Sequence, residues 1–198
     1  MMSVPDNVQH WQKRQSNTMI DKLTATILFY PTLAYNALLA RVLNVRNWWD
    51  EVDQNVVLGA LPFASDIAKL AEIGVGAVVN TCEEYPGPVA EYEKHHVEQL
   101  RVPTVDFTHP TLESVERAVA FMEQQVAAGK RIYVHCKAGR ARSATVVACW
   151  LIKNDHMTAA EAQEKMLQAR SHVNKKIAQR PVVKAFEKKY LVGEQAVN

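Results

Sequence analysis

Apolar and polar positions along this chain group into short valine-rich runs separated by stretches with helical spacing. Val56-Val57-Leu58-Gly59 and Val75-Gly76-Ala77-Val78-Val79-Asn80 read as strands, and Ile67 to Ile73 between them reads as a helix that Ser65 could cap. Val97 to Pro103 adds a further strand. Leu112, Val115, Val119, Met122 and Val126 then fall on one helical face, and Gly129 follows as a stop. A second unit of the same kind starts with the apolar run Ile132-Tyr133-Val134, passes through a loop and enters the helix-prone segment Ser143 to Ile152. Thr158 with Glu161 forms a capping box for a helix through Arg170, and Pro181 to Leu191 predicts the last helix. The pattern predicts one three-layer α/β domain over residues 46–198, with a mostly parallel sheet flanked by helices and a site at the carboxyl ends of the strands.

An arm over residues 1–45 precedes this domain. Met1 to Ile20 is polar, and Leu23 to Ala40 runs for 18 residues without a formal charge between Lys22 and Arg41. Thr24, Thr26, Pro31, Thr32 and Asn36 interrupt that run, and it is shorter than the roughly 20 apolar residues of a spanning helix, so a transmembrane span is disfavoured. A membrane-surface element or part of an organelle-targeting region fits better, with packing of the arm on the domain as the competing reading.

The chain has 198 residues, 48% of them hydrophobic, with a net charge of +2. That is enough for one core plus an appendage. Eight Lys or Arg lie between Lys165 and Tyr190 against the single acid Glu187, which reads either as a footprint for an anionic membrane or as a solvated helical face. Nucleic-acid binding is disfavoured, because only Phe186 and Tyr190 in that region offer stacking surfaces. Cys82, Cys136 and Cys149 are few, odd in number and widely spaced, which argues for a reducing compartment and against zinc; no metal and no cofactor are expected. The pair His95-His96 belongs to a solvated, glutamate-rich loop.

Candidate chemistry concentrates in His135-Cys136-Lys137-Ala138-Gly139-Arg140-Ala141-Arg142-Ser143, between a strand and a helix N-terminus. Successive backbone N–H groups there point inward around an anion, the helix dipole favours negative charge, and Gly139 permits a conformation that a side chain would hinder. Lys137 to Ala141 would thus cradle one phosphoryl group. The same field lowers the pKa of Cys136 and makes it a thiolate nucleophile. Arg142 can grip two phosphoryl oxygens, Ser143 can hydrogen-bond the departing thiolate, and His135 can brace the loop.

His-Cys, five residues, Arg and then Ser resembles the signature of the cysteine-dependent protein tyrosine phosphatase superfamily. A poor alcohol leaving group needs an acid. Asp106, in a turn-rich loop 30 residues before Cys136, matches in order and approximate spacing the acid loop of compact dual-specificity phosphatases. Asp53 and Asp66 are weaker candidates, and a structural Asp106 capping the helix after Pro110 is the competing reading. Trp48-Trp49-Asp50, Asn55 to Pro62, Glu83-Glu84-Tyr85, the Lys-Ala-Gly-Arg loop and Arg170-Ser171-His172 resemble the mitochondrial branch of the superfamily, over roughly residues 46 to 190. Asn174 to Ala178 is extra length in a stretch expected to line the pocket.

That resemblance implies dephosphorylation of phosphatidylglycerophosphate in cardiolipin synthesis, at the matrix face of the mitochondrial inner membrane. Lys137 and Arg140 suit a head group that carries a diester besides the scissile monoester. A phosphoinositide phosphatase, a protein dual-specificity phosphatase and a non-catalytic phospholipid-binding module are the alternatives, and the cytoplasm is the alternative location. An anionic phospholipid and a membrane surface are the expected partners, with the oligomeric state open. Glu83 and Glu84 could hold Arg142 or a neighbouring basic group in register, Tyr85 could wall the pocket, and Cys82 could capture an oxidised Cys136 as a disulfide.

Overall fold

The structure, a computed structural model, describes residues 29–35, 37–43 and 45–192. Five strands form one sheet: β1 (Trp49–Glu51), β2 (Val56–Gly59), β3 (Val75–Cys82), β4 (Glu98–Thr104) and β5 (Arg131–His135), in the order β1-β2-β5-β3-β4. Only β1 runs antiparallel to its neighbour, and the other three pairings are parallel. The predicted mostly parallel three-layer sheet is therefore the one observed. β5 lies in the middle, with Val56 to Gly59 on one side and Ala77 to Asn80 on the other. Its carboxyl end, where Cys136 follows, is consequently walled by both neighbours.

Helices α1 (Ala64–Glu72), α2 (Val89–Lys94), α3 (Leu112–Ala127), α4 (Arg142–Asn154), α5 (Ala159–Ala169) and α6 (Pro181–Glu187) cover the sheet. Every residue of α4 from Arg142 to Ile152 is buried, the pattern of a helix enclosed on all sides. It packs in one core with the strands and with α3, α5 and α6, around Leu58, Val134, Met122, Met166 and Phe186. The α3 face is buried at Val115, Val119 and Met122 as its spacing requires, and the chain turns at Gly129 with φ of +78°. Thr158 and Glu161 make the reciprocal cap of α5.

Local expectations meet the structure unevenly. Ser65 lies inside α1, and the cap comes from Asp66, whose carboxylate accepts the Phe63 N–H at 2.9 Å. The three-residue edge strand β1 and the short helix α2 were not predicted. His95 closes α2 and His96 is exposed, so the pair is solvated as expected but follows a helix.

Of the eight basic residues between Lys165 and Tyr190, three pair with surface carboxylates: Lys165 with Asp155, Lys184 with Glu187 and Lys189 with Glu116, at 2.6–2.9 Å. Arg170 is buried, and Arg180 donates to Ala141 and Thr145. Most of this charge therefore belongs to solvated ion pairs and to the loop after β5, rather than to one open basic face.

The first 28 residues of the arm lie outside the described residues. Residues 29–35 are helical, and a single π-helical turn follows at Leu38–Val42. Ala40 packs with Trp48 and Ala60, and the Arg41 guanidinium stacks over Trp48 and Phe63 while pairing with the buried Asp66. The described part of the arm is thus seated on the domain. Among the described residues, no helix is long and apolar enough to cross a membrane.

Candidate active site

Residues 136–141 form the loop between β5 and α4. Gly139 has φ of +64°, and a Cβ there would lie 2.4 Å from the carbonyl oxygen of Gly59, so both the conformation and the close approach to β2 require glycine. The loop is further tied down by the Leu61 N–H, which donates to the Lys137 carbonyl at 3.3 Å. Cys136 is 4% exposed at its floor.

Burial alone would push the Cys136 thiol up. Arg142, the hydroxyl and N–H of Ser143 and the N–H of Arg140 outweigh it and bring the thiol down to about 7. The Ser143 hydroxyl lies 3.2 Å from the sulfur and donates to it. Burial pushes the Cys149 thiol well up with nothing to offset it, and at Cys82 burial, with Cys136, Glu84 and Asp106 adding to it, outweighs the lowering effect of Arg142. All three cysteines are free and buried. Cys82 ends β3 within electrostatic reach of Cys136 and Arg142.

Arg142 opens α4 almost fully buried. Its Nη1 donates to Glu84 Oε2 and to the Thr104 carbonyl, both at 2.8 Å. Its Nη2 makes an ionic contact with Asp106 Oδ1 at 3.1 Å but no aligned hydrogen bond among the described residues, leaving donors for an anion. Burial would lower its basicity, but Cys82, Cys136, Asp106 and Glu84 together raise it, so the charge is permanent.

Glu84 is the centre of this arrangement, because its second oxygen accepts the Asp106 N–H at 2.9 Å. One carboxylate thereby positions both Arg142 and the Asp106 loop. Asn80, buried at the β3 bulge, shapes the turn that presents Glu84 by donating to the Tyr85 carbonyl at 2.8 Å and accepting the Cys82 N–H. Asp106 is paired with the buried Lys137 ammonium, which sits between the rings of Phe29 and Phe107. Lys137 therefore turns toward the candidate acid, whereas the sequence had suggested a head-group contact. Thr111 caps α3, so the structural reading of Asp106 as that cap is wrong. Asp53 holds the turn before β2 and Asp66 caps α1, both structural uses.

Three other predicted residues stand apart from the pocket. Glu83 is exposed, and its backbone carbonyl accepts from Arg101. Tyr85 does not wall the pocket: its hydroxyl donates to the Pro62 carbonyl at 2.9 Å. His135 is fully buried and stacks on Tyr133; burial first, and Arg142 next, drive it down to about 3, so it is a neutral buried ring.

A cavity of about 460 Å³ opens over Cys136, within the range of small-molecule sites. Arg46, Arg140, Arg180 and Asn174 line it together with the loop, and Thr32, Tyr35, Phe107 and Thr108 form the rest of its wall. The arm thus contributes to the pocket, as does the extra segment, since Asn174 donates its N–H to the Arg140 carbonyl at 2.9 Å. A thiolate, an arginine with unspent donors and a carboxylate above them can together cleave a phosphomonoester by nucleophilic displacement at phosphorus.

The catalytic-domain model of the dual specificity phosphatases matches residues 56–189. The chain belongs to the dual specificity phosphatase family.

Within that family, Phosphatidylglycerophosphate phosphatase PTPMT2 of Arabidopsis thaliana is 40% identical over 165 residues, covering 82% of this chain and 72% of that protein. The mouse Phosphatidylglycerophosphatase and protein-tyrosine phosphatase 1 is 40% identical over 173 residues, covering 83% and 90%. A crystal structure of PTPMT1 superposes with a TM-score of 0.68 at 38% identity, over 76% of this chain and all of that one. PTPMT1 in complex with PI(5)P gives 0.69 at 36% identity, over 75% and 99%. This chain is accordingly a phosphatase with the tyrosine-phosphatase-like fold that its sequence resembled.

Several residues of the phosphatase site were not foreseen from sequence. Arg46 and Arg180 carried no local signal, and Asn80 looked like the end of a strand. Arg170 was noticed as a helix end and as part of a resemblance, and nothing in the neighbouring sequence, with Ala169 half-buried and Ser171 exposed, marks it as buried.

Proposed function

We propose that this phosphatase removes the terminal phosphate of phosphatidylglycerophosphate, releasing phosphatidylglycerol and inorganic phosphate. The observation that carries the substrate class is charge: among the described residues five cationic side chains, Arg46, Lys137, Arg140, Arg142 and Arg180, line the pocket against one lining carboxylate, Asp106, with Glu84 behind Arg142. A monoester dianion in the loop would take Arg142 and the inward N–H groups, leaving at the mouth the nitrogens that Arg140 and Arg180 do not spend on protein carbonyls and Thr145 for a second anionic group. A phosphate diester one glycerol away meets that need, whereas a phosphotyrosine residue carries no second phosphate. The names of the two relatives point to the same lipid.

In the first step the Cys136 thiolate attacks phosphorus, and the bond to the glycerol oxygen breaks with its electron pair on that oxygen. Asp106 supplies the proton, and the incoming dianion takes over part of its contact with Lys137 and Arg142. In the second step water attacks the phosphocysteine and Asp106 takes its proton. The sulfur–phosphorus bond then breaks with its pair on sulfur, to which the Ser143 hydroxyl donates a hydrogen bond.

The same reading has the enzyme at a membrane surface, with Tyr30, Tyr35, Val42, Leu43, Val45 and Phe107, all largely exposed, as the apolar contact beside the basic mouth. It carries a location on the matrix side of the mitochondrial inner membrane and a supply of phosphatidylglycerol to cardiolipin synthesis, as the resemblance implies. A phosphoinositide monophosphate is the second reading, favoured by the PI(5)P complex of PTPMT1.

Phosphate release from phosphatidylglycerophosphate, phosphoinositide monophosphates and a phosphotyrosine peptide, assayed side by side, tests the proposal. The expected result is the highest kcat/KM on phosphatidylglycerophosphate and loss of turnover in Cys136→Ser. A preference for a phosphoinositide or a peptide overturns the substrate, and an active Cys136→Ser overturns the chemistry.

A further inference from the structure

We propose that Arg170 is a positioning residue for the Cys136 thiolate, acting through the peptide unit that joins Gly139 to Arg140. Arg170 follows α5 and is 2% exposed. Its guanidinium has five N–H donors and makes five hydrogen bonds. Nε donates to the Gly139 carbonyl at 3.0 Å, and Nη2 to the Ala138 carbonyl at 3.2 Å and the Trp48 carbonyl at 3.4 Å. Nη1 donates to Asp50 Oδ2 at 2.5 Å and to the Asn47 carbonyl at 3.2 Å. Neither Arg170 nor Asp50 lines the pocket.

A peptide unit is planar, with its C=O and N–H pointing in opposite directions. Arg170 holds the Gly139 oxygen outward, so the Arg140 N–H of the same unit faces inward toward Cys136, whose thiol it helps to hold down. The grip on the Ala138 oxygen fixes the Gly139 N–H in the same sense. The fixed units are the ones that need fixing. Gly139 carries a positive φ and has the freedom to rotate, and a flipped unit would turn a carbonyl oxygen toward the thiolate and the incoming phosphate. A buried ion pair with Asp50 contributes little net stability, but it locks a planar fork whose geometry selects one orientation of the loop. β1 and the turn after α5, both remote from the motif in sequence, thereby set the nucleophile.

The inference rests on the thiolate reading of Cys136, and its test needs no substrate. The pH dependence of iodoacetamide alkylation at Cys136, located by peptide mass mapping, is measured in full-length wild type, Arg170→Gln, Arg170→Lys and Asp50→Asn. Circular dichroism selects the folded variants. In Arg170→Gln the alkylation midpoint is expected to rise by about one pH unit, which slows alkylation at pH 6 about tenfold. Arg170→Lys, which can hold one carbonyl but not the fork, is expected to rise by less, and Asp50→Asn by less again. If Arg170→Gln does not fold, the other two variants carry the test. A midpoint unchanged in every folded variant, even with a lowered melting temperature, overturns the proposal and leaves Arg170 purely structural. Failure of the proposed substrate or of phosphocysteine chemistry would appear instead in the turnover assays, with the alkylation shift intact.

Discussion

Glu84→Gln is the most informative single change at the site, because one carboxylate accepts from both Arg142 and the Asp106 backbone. The side chain is 11% exposed, so solvent does little to replace what is lost. Glutamine keeps the shape and one acceptor oxygen, which can serve either the Arg142 Nη1, now 2.8 Å away, or the Asp106 N–H, now 2.9 Å away. Its NH2 group then faces the other donor. The perturbation therefore removes one charge-assisted hydrogen bond and sets two donors against each other, about 1.5–3 kcal/mol. If that loss is felt at the transition state, where Arg142 grips the phosphoryl oxygens, kcat/KM falls roughly 10- to 150-fold, at about 1.4 kcal/mol per decade. The assay is steady-state hydrolysis of phosphatidylglycerophosphate and of an aryl phosphate, with a melting curve to verify folding. A kcat/KM within twofold of wild type on both substrates would refute the view that Glu84 sets Arg142 and Asp106.

Asp106→Asn is expected to reduce hydrolysis of the phospholipid by about 100-fold or more and of an activated aryl phosphate by far less, since only the poor leaving group needs the proton; equal losses would assign the acid to another residue. Arg41→Met keeps the stem against Trp48 and Phe63 but leaves the buried Asp66 without its cation. The cost should be ~1–3 kcal/mol, discounted because Arg41 is one-third exposed, and a melting temperature unchanged within a degree would show that the arm is not seated as described. His135 is held neutral down to about pH 3, whereas in the unfolded chain it takes up a proton near pH 6.5. Below that value the unfolded state binds more protons, so stability falls as pH drops from 6.5 toward 3, by about 2 kcal/mol at pH 5. Denaturant midpoints that do not change between pH 7 and 5 would contradict this.

What the sequence made legible was local. The six-residue interval from Cys136 to Arg142 fixes a strand, a loop and a helix start without help from the rest of the chain, and the valine-rich runs of β2, β3 and β5 are buried on both faces as such runs require. The cap of α5 was equally local, whereas at α1 the adjacent Ser65 and Asp66 offered two caps one residue apart and only packing decided between them. β1 escaped notice because Trp49-Asp50-Glu51 is three residues long and lies on a sheet edge with two acids. α2 was hidden behind Pro86-Gly87-Pro88, which reads as a loop. The long-range partnerships were out of reach: Lys137 with Asp106, Glu84 with Arg142, and Arg170 with Asp50 are 31, 58 and 120 residues apart. Sequence spacing named several of these residues but could not say which cation would face which carboxylate, since that depends on the strand order.

The central claim, that Cys136 receives the phosphate of a phospholipid monoester, is tested most directly by rapid acid quench of the enzyme with phosphate-labelled phosphatidylglycerophosphate, followed by peptide mapping. The account predicts label on the peptide containing Cys136, appearing before free phosphate, and none in Cys136→Ser. Label on any other residue, or phosphate released by wild type with no phosphoenzyme and at an equal rate by Cys136→Ser, would contradict it.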